Sequence, residues 1–148
     1  MATRGRIGVL RPDGRVESIY NHYDSYPEGL GEALKGISDP KLVDELIALG
    51  NRRGTYADKD WRDKSSLFNE PSRFYDNEDA FYGDDEEWLD YKYLFKDGAW
   101  NVSDGYGDDR RLLVEPSKIY KEKSVTAPNL RRRFKNPLDQ ANAILGGK

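Results

Sequence analysis

Apolar and polar residues alternate with a period of two over residues 7–11 and again over residues 15–20. Pro12-Asp13-Gly14 separates the two runs. Proline presets φ and glycine accepts a positive φ, so the pattern predicts a β-hairpin. Ile7 and Val9 alternate with Gly8, and Val16, Ser18 and Tyr20 alternate with Glu17 and Ile19, which lets each strand turn one face to a core. The period then changes. Pro27 suits the first position of a helix, where its missing N–H would have no partner anyway, and Leu30, Ala33 and Leu34 fall on one side. Gly29 and Gly31 are poor helix formers, so this helix is expected to be short and its glycines to serve close backbone approach. A clearer helix follows. Ser38 or Asp39 can cap it, Pro40 can occupy its first position, Leu42, Val43, Leu46, Ile47 and Leu49 form a stripe, and Gly50 can end it.

From residue 51 to residue 87 the periodicity fails. The stretch is polar, with Trp61, Leu67, Phe68, Phe74, Tyr75, Phe81 and Tyr82 scattered through it. A structureless loop of this length is unusual inside a compact domain, so these aromatics are expected to drape over the core or a partner. Order returns over residues 88–95, with Lys96-Asp97-Gly98 as a turn and residues 99–102 pairing back. A further strand is expected at 112–114, and 118–120 extends the edge. The order ββαα–loop–βββ predicts an α+β domain. Its antiparallel sheet is built from two hairpins plus an edge strand, with two short helices on one face and a long irregular insertion at 51–87. The domain is expected to span 1–125, and 126–148 reads as a basic C-terminal arm in which Asn136 and Pro137 can start a short helix. The expected core comprises Ile7, Val9, Val16, Ile19, Leu42, Leu46, Leu49, Leu94, Leu112 and Val114.

Composition narrows the range of functions. Charged residues make up 34% of the 148, against roughly 25% in an average soluble protein. Mean hydropathy is −0.91, which predicts a modest core and some segments outside it. The formal net charge of −3 gives no bulk attraction to nucleic acid or membrane. The chain has no cysteine, so disulfides, thiolate metal sites and cysteine nucleophiles are excluded. The opening MATRGRIG lacks an apolar run, and no apolar stretch nears the roughly 18 residues of a membrane span. A cytoplasmic protein with no signal peptide and no membrane partner is therefore expected.

Three segments carry candidate chemistry. The first is Tyr20, His22, Tyr23, Asp24 and Tyr26, which surrounds the only histidine of the chain. On an extended strand His22 and Asp24 would face one side with Tyr20 and Tyr26, where a His–Asp pair can act as a general base or orient a ligand. The competing reading is structural: imidazole and carboxylate tie down the turn from strand to helix. The second segment is 76–90, with eight carboxylates and no base, among them Asp76, Glu78, Asp79, Asp84, Asp85, Glu86 and Glu87. A calcium loop fits poorly, because Phe81 stands where an EF-hand needs glycine. A mimic of nucleic acid or a solvated acidic loop remain. The third is the basic arm. Nine Lys or Arg face two Glu between Arg110 and Lys135, and Arg131, Arg132, Arg133 and Phe134 can grip phosphates and stack on a base. The arm can equally fold on acidic protein, its own chain or a second copy. Asp104-Gly105-Tyr106-Gly107-Asp108-Asp109 is too irregular for a metal motif, and its G-x-G follows no strand–helix crossover.

The opening segment TRGRIGVLRPDGRVESIYNHYDSYPEGLG resembles the start of a family of small phage and prophage proteins. That family opens with an Arg–Ile–Gly strand, an Asp-Gly turn and a segment close to Tyr-Cys-His-Trp-Asp-Gly-Tyr-Pro. Tyr20, His22, Asp24, Tyr26, Pro27, Gly29 and Gly31 match, whereas Asn21, Tyr23 and Ser25 depart. Any role of the family's cysteine is absent here. The hairpin YKYLFKDGAWNV also looks like the family's closing strands. The resemblance implies a viral origin and an α+β fold, and it implies no reaction. The expected function is accordingly that of a phage-encoded, non-enzymatic protein in the host cytoplasm. It is expected to bind a host protein in an inhibitory or host-takeover role, with no cofactor and no metal. The alternatives are a small-ligand or nucleotide sequestering protein with its site at Tyr20, His22, Tyr23, Asp24 and Tyr26, and a virion-associated structural protein. Nucleic acid is a less favoured partner, and the arm is the expected route to a homo-oligomer.

Overall fold

A computed structural model describes residues 2–84 and 89–113. The fold is α+β, a six-stranded mixed sheet with a few short helices. β1 (Gly5–Leu10) and β2 (Val16–Asn21) form the first hairpin, in which Ile7 lies opposite Ile19. Its turn closes through Gly14 N–H to the Arg11 carbonyl at 2.9 Å, with Gly14 at φ +92°. The Asp13 carboxylate accepts from the Arg15 backbone and holds its guanidinium at 2.9 Å, which lowers the Asp13 pKa. β4 (Tyr91–Lys96) and β5 (Ala99–Asp104) form the second hairpin. Its two-residue loop, Asp97 at φ +54° and Gly98 at φ +78°, is the turn whose twist matches that of paired strands.

The two hairpins join through a parallel pairing of β1 with β4, from Gly5 beside Tyr91 to Val9 beside Phe95. The sheet is therefore mixed, where strand pattern alone suggested antiparallel pairing throughout. Two short strands extend its edges. β3 (Arg73–Tyr75) pairs with β2, and β6 (Arg111–Leu112) pairs with β5, giving the order β3-β2-β1-β4-β5-β6.

One face of the sheet carries the main core. Ile7, Val9, Ile19, Tyr93, Phe95, Trp100 and Val102 pack against Leu30, Leu34, Ile37, Val43, Leu46 and Ile47. The last six come from a π-helical turn (Pro27–Gly31) that runs into α1 (Glu32–Lys35), from the short link after it, and from α2 (Pro40–Leu49). Asp39 caps α2 by accepting from the Lys41 N–H at 2.9 Å, and Pro40 follows at the first turn. Gly50 ends it at φ +89°, where a Cβ would stand 2.3 Å from the Glu70 carbonyl oxygen.

The opposite face is half polar. Val16 and Leu94 pack with Phe81 and Tyr82 of α3 (Glu78–Gly83), while Arg6, Ser18, Lys92 and Ser103 are buried. The stretch 51–87 thus supplies one edge strand, a 3-10 turn (Lys64–Ser66) and the helix that covers this second face, between irregular segments. No helix among the described residues is long and apolar enough to cross a membrane.

Of the expected core, Ile7, Val9, Val16, Ile19, Leu46 and Leu94 are buried, and Leu42 and Leu49 are half-buried at the margin of α2. Leu112 is a correction: it is 58% exposed, because β6 is a two-residue strand at the edge of the sheet. Val114, the expected strand at 118–120, the helix begun at Asn136 and the arm at 126–148 lie outside the described residues.

This layout separates two leucines. Leu46→Ala is expected to cost about 2–5 kcal/mol, the range for a fully buried leucine. Leu112→Ala is expected to change stability by no more than about 0.5 kcal/mol. Urea unfolding of both variants checks the pair, and equal losses would contradict the assigned core.

Candidate functional site

The Tyr20–Tyr26 segment starts at the end of β2 and turns away from the sheet. Tyr20 is still in the strand, its N–H bound by the Asn51 side chain at 2.8 Å. Asn21 is fully buried and organises the turn. Its amide donates to the Tyr23 carbonyl and to Ser25 Oγ, both at 2.9 Å, and its Oδ1 accepts from Thr55 Oγ1 at 3.0 Å. Ser25 Oγ in turn donates to the Asn21 carbonyl, and the Ser25 carbonyl accepts from the Tyr93 hydroxyl at 2.7 Å. Asn21 and Ser25 are therefore the buried polar pins of the turn.

Asp24 is where the chain reverses. It adopts φ +57°, a left-handed conformation that aspartate tolerates better than most residues. Its carbonyl accepts from the Leu30 N–H at 2.9 Å, and a Cβ on Gly29 would stand 2.5 Å from the same oxygen. Only glycine at position 29 lets the π-helical turn close so tightly on Asp24.

The reversal separates His22 from Asp24. His22 Nδ1 and the Tyr20 hydroxyl are 2.7 Å apart, a hydrogen bond whose direction depends on the imidazole tautomer, and the Tyr23 ring meets the His22 ring edge-on at 4.5 Å. Asp24 instead accepts from two tyrosines, Tyr56 at 2.6 Å and Tyr26 at 3.2 Å. Extended-strand phase placed His22 beside Asp24. The left-handed turn breaks that phase, so the two side chains take different hydrogen-bond partners. Tyr23 is 47% exposed and Tyr26 36%. The result is an aromatic surface pinned from beneath.

Tyr56 belongs to the site although nothing in the pattern around it marks it out. Its ring lies across Gly54, where a Cβ would stand 2.6 Å from it, and Lys59 Nζ lies over the ring, 5.2 Å from its centroid. The hydrogen bond to Asp24 and partial burial push its hydroxyl pKa up to about 12. Tyr26 is raised for the same first reason. Arg52 and Arg53 are the other additions. The backbone of Arg52 runs beside the end of β2, donating to the Tyr20 carbonyl at 2.8 Å and accepting from the His22 N–H at 3.1 Å. The Arg53 carbonyl accepts from the Tyr23 N–H at 2.7 Å, and its guanidinium lies 4.7 Å from the centre of the Phe68 ring.

The acidic residues are distributed differently. Glu78 pairs with Lys96 at 3.0 Å, Asp79 with Arg110 at 3.0 Å and Asp84 with Arg73 at 3.2 Å, while Asp84 also accepts from the Tyr75 hydroxyl. Glu78 and Asp79 open α3 behind the Asn77 cap, where carboxylates suit the helix dipole. Asp76 is exposed at the end of β3. Asp85, Glu86 and Glu87 lie outside the described residues, as do Arg131, Arg132, Arg133 and Phe134. No group of three His, Asp or Glu side chains suited to a metal ion occurs among the described residues.

The chain matches no family model, no curated protein and no solved structure.

A pH dependence follows from the tyrosines. Tyr56, Tyr75 and Tyr82 all titrate at about 12 in the folded chain, against the usual 10.0. The Asp24 hydrogen bond is the main cause for Tyr56, and burial is for the other two. A raised folded pKa means that the native state favours the neutral hydroxyl. Their contribution to stability is full below pH 10 and is lost as pH rises from about 10 to about 12. Urea unfolding across that window should show the decline, and Tyr56→Phe should reduce its steepness. A flat profile in the wild type would refute the assigned contacts.

Proposed function

We propose that this chain is a non-enzymatic phage protein that binds a host protein through the surface built by His22, Tyr23, Tyr26 and Tyr56. The phage assignment rests on the resemblance of the opening segment. The binding assignment rests on one observation: two large aromatic side chains, Tyr23 and Tyr26, are held exposed on a turn whose buried interior is fully engaged in hydrogen bonds. Tyrosines fixed in this way offer broad contact area with a polar tip and lose little conformational freedom on binding. They are characteristic of interface hot spots.

The arrangement of polar groups favours binding over acid–base chemistry. His22 makes its side-chain hydrogen bond to Tyr20, and both Asp24 oxygens are committed to tyrosine hydroxyls.

The test is a double substitution, Tyr23→Ala with Tyr26→Ala. The variant should stay folded, with its melting temperature lowered only slightly by loss of the exposed Tyr26–Asp24 hydrogen bond, and should lose at least about 2 kcal/mol of affinity for a partner captured stoichiometrically from bacterial lysate. Phe74→Ala, an exposed aromatic near the other end of β2, serves as the control and should bind normally. Binding untouched by the double substitution would overturn the proposal. A small molecule retained through native mass spectrometry, or recovery of the chain in purified virions, would redirect it to the sequestering or structural alternative.

A further inference from the structure

The strangest charge in the described chain is Arg52. Three exposed arginines pair with carboxylates: Arg62 with Glu45 at 2.6 Å, Arg110 with Asp79 at 3.0 Å and Arg111 with Asp109 at 2.6 Å. Arg52 is 0% exposed and pairs with no carboxylate among the described residues. That is the reverse of the usual order, since desolvation makes a buried cation the one that most needs an anion.

The guanidinium is satisfied on one side only. Nη1 donates to the Trp61 carbonyl at 2.9 Å and lies 3.5 Å from Thr55 Oγ1. Nε and Nη2 meet no acceptor among the described residues. Those two nitrogens form one edge of the planar group, and their N–H bonds are parallel. This is the fork that fits a carboxylate with two hydrogen bonds. A lysine could not offer it.

The surroundings define the ligand further. Residues 53–66 form a closed loop around Arg52, with its ends joined by Arg53 N–H to the Ser66 carbonyl at 2.7 Å. Compact loops of this length, with adjacent ends and interiors filled by their own side chains, often serve function. The nearest named polar groups, Thr55 Oγ1 and the Trp61 carbonyl, are neutral, so the interior balances a single negative charge. A carboxylate meets that condition, whereas a phosphate dianion exceeds it. Thr55 also links the guanidinium to the aromatic surface, through its hydrogen bond to Asn21 and through the next residue, Tyr56, bound to Asp24.

We infer that Arg52 is the buried anchor of a carboxylate site, reached when the 53–66 loop parts, and that its occupant is an acidic side chain of the protein partner. The inference rests on the binding role proposed above. A desolvated charge pair beside exposed tyrosines has the composition of a hot spot. Burial already holds the Arg52 pKa down to about 10, a strain that a carboxylate neighbour would reverse.

The test begins on the intact wild-type chain with sodium acetate as the probe. Sodium chloride at equal ionic strength and inorganic phosphate are the comparisons. The Arg52 Nε–H resonance should shift saturably with acetate, and Tm should rise along the same isotherm, as expected for a ligand that binds only the folded state. Arg52→Lys keeps the charge and removes the fork. It should abolish the Tm response and weaken partner capture at least tenfold. An unmoved Nε–H resonance in acetate would overturn the site even if the lysine variant failed to fold. A response to phosphate alone would overturn the carboxylate assignment. Saturable acetate binding with partner capture unchanged in Arg52→Lys would show a free acid, not the partner, to be the occupant. If acetate binds but Tyr23 and Tyr26 prove irrelevant to capture, the binding role fails and the carboxylate chemistry stands. The opposite result removes the site and leaves that role intact.

Discussion

The parallel pairing of β1 with β4 is the constraint on which the remaining structure depends. Each hairpin is local and needs only its own turn. Joining them in parallel requires everything between residues 11 and 90 to return the chain to the same end of the sheet. It also places two central strands side by side with both faces to be covered. Ile7 and Val9 beside Tyr93 and Phe95 give one face an apolar surface that α2 and the turn before it can close. The same register sets Arg6 beside Lys92 on the other face, and both are buried.

That second face explains α3. Lys92 Nζ donates to the Tyr82 carbonyl at 2.6 Å and to the Asp84 carbonyl, at the C-terminal end of the helix. Free carbonyls at a helix C-terminus carry partial negative charge, so a buried ammonium and a short helix satisfy each other. Arg6 donates to Ser18 Oγ, which passes the chain of hydrogen bonds to the Arg73 carbonyl on the edge strand β3. Phe81 and Tyr82 then fill the space over Val16 and Leu94. A helix of six residues has no independent stability in water. It exists because the sheet offers it both an apolar seat and a cation.

Sequence pattern exposes whatever is local. The hairpins are marked by Pro12-Asp13-Gly14 and by Asp97-Gly98, and α2 by Asp39, Pro40, its apolar stripe and Gly50. The aromatic segment is legible as a cluster because its members are neighbours in the chain. The rest is carried by contacts across long separations. Thr55 reaches Asn21 and Tyr56 reaches Asp24, pairs 34 and 32 positions apart, from a stretch with no periodicity. β3 and α3 are too short for a period to emerge and draw their stability from the sheet. The parallel seam has no local signature at all. The separation of His22 from Asp24 turns on one left-handed residue, which pattern reading replaced with an extended strand.

These long-range contacts also bear on the binding surface proposed above. A carboxylate beside a histidine is ready for proton transfer only while its lone pairs are free. Asp24 spends its oxygens holding Tyr26 and Tyr56 in place, and the turn beneath is closed by Asn21, Ser25 and Thr55. Hydrogen bonds of this sort make no contact with a partner, yet they remove rotamer freedom that binding would otherwise have to remove. The polar residues of the segment are thus the framework, and the tyrosine rings are the surface it presents. Because that framework is anchored at one end to the Tyr93 hydroxyl in the core and at the other to the loop around Arg52, a substitution at Asn21 would act on sheet, loop and surface together.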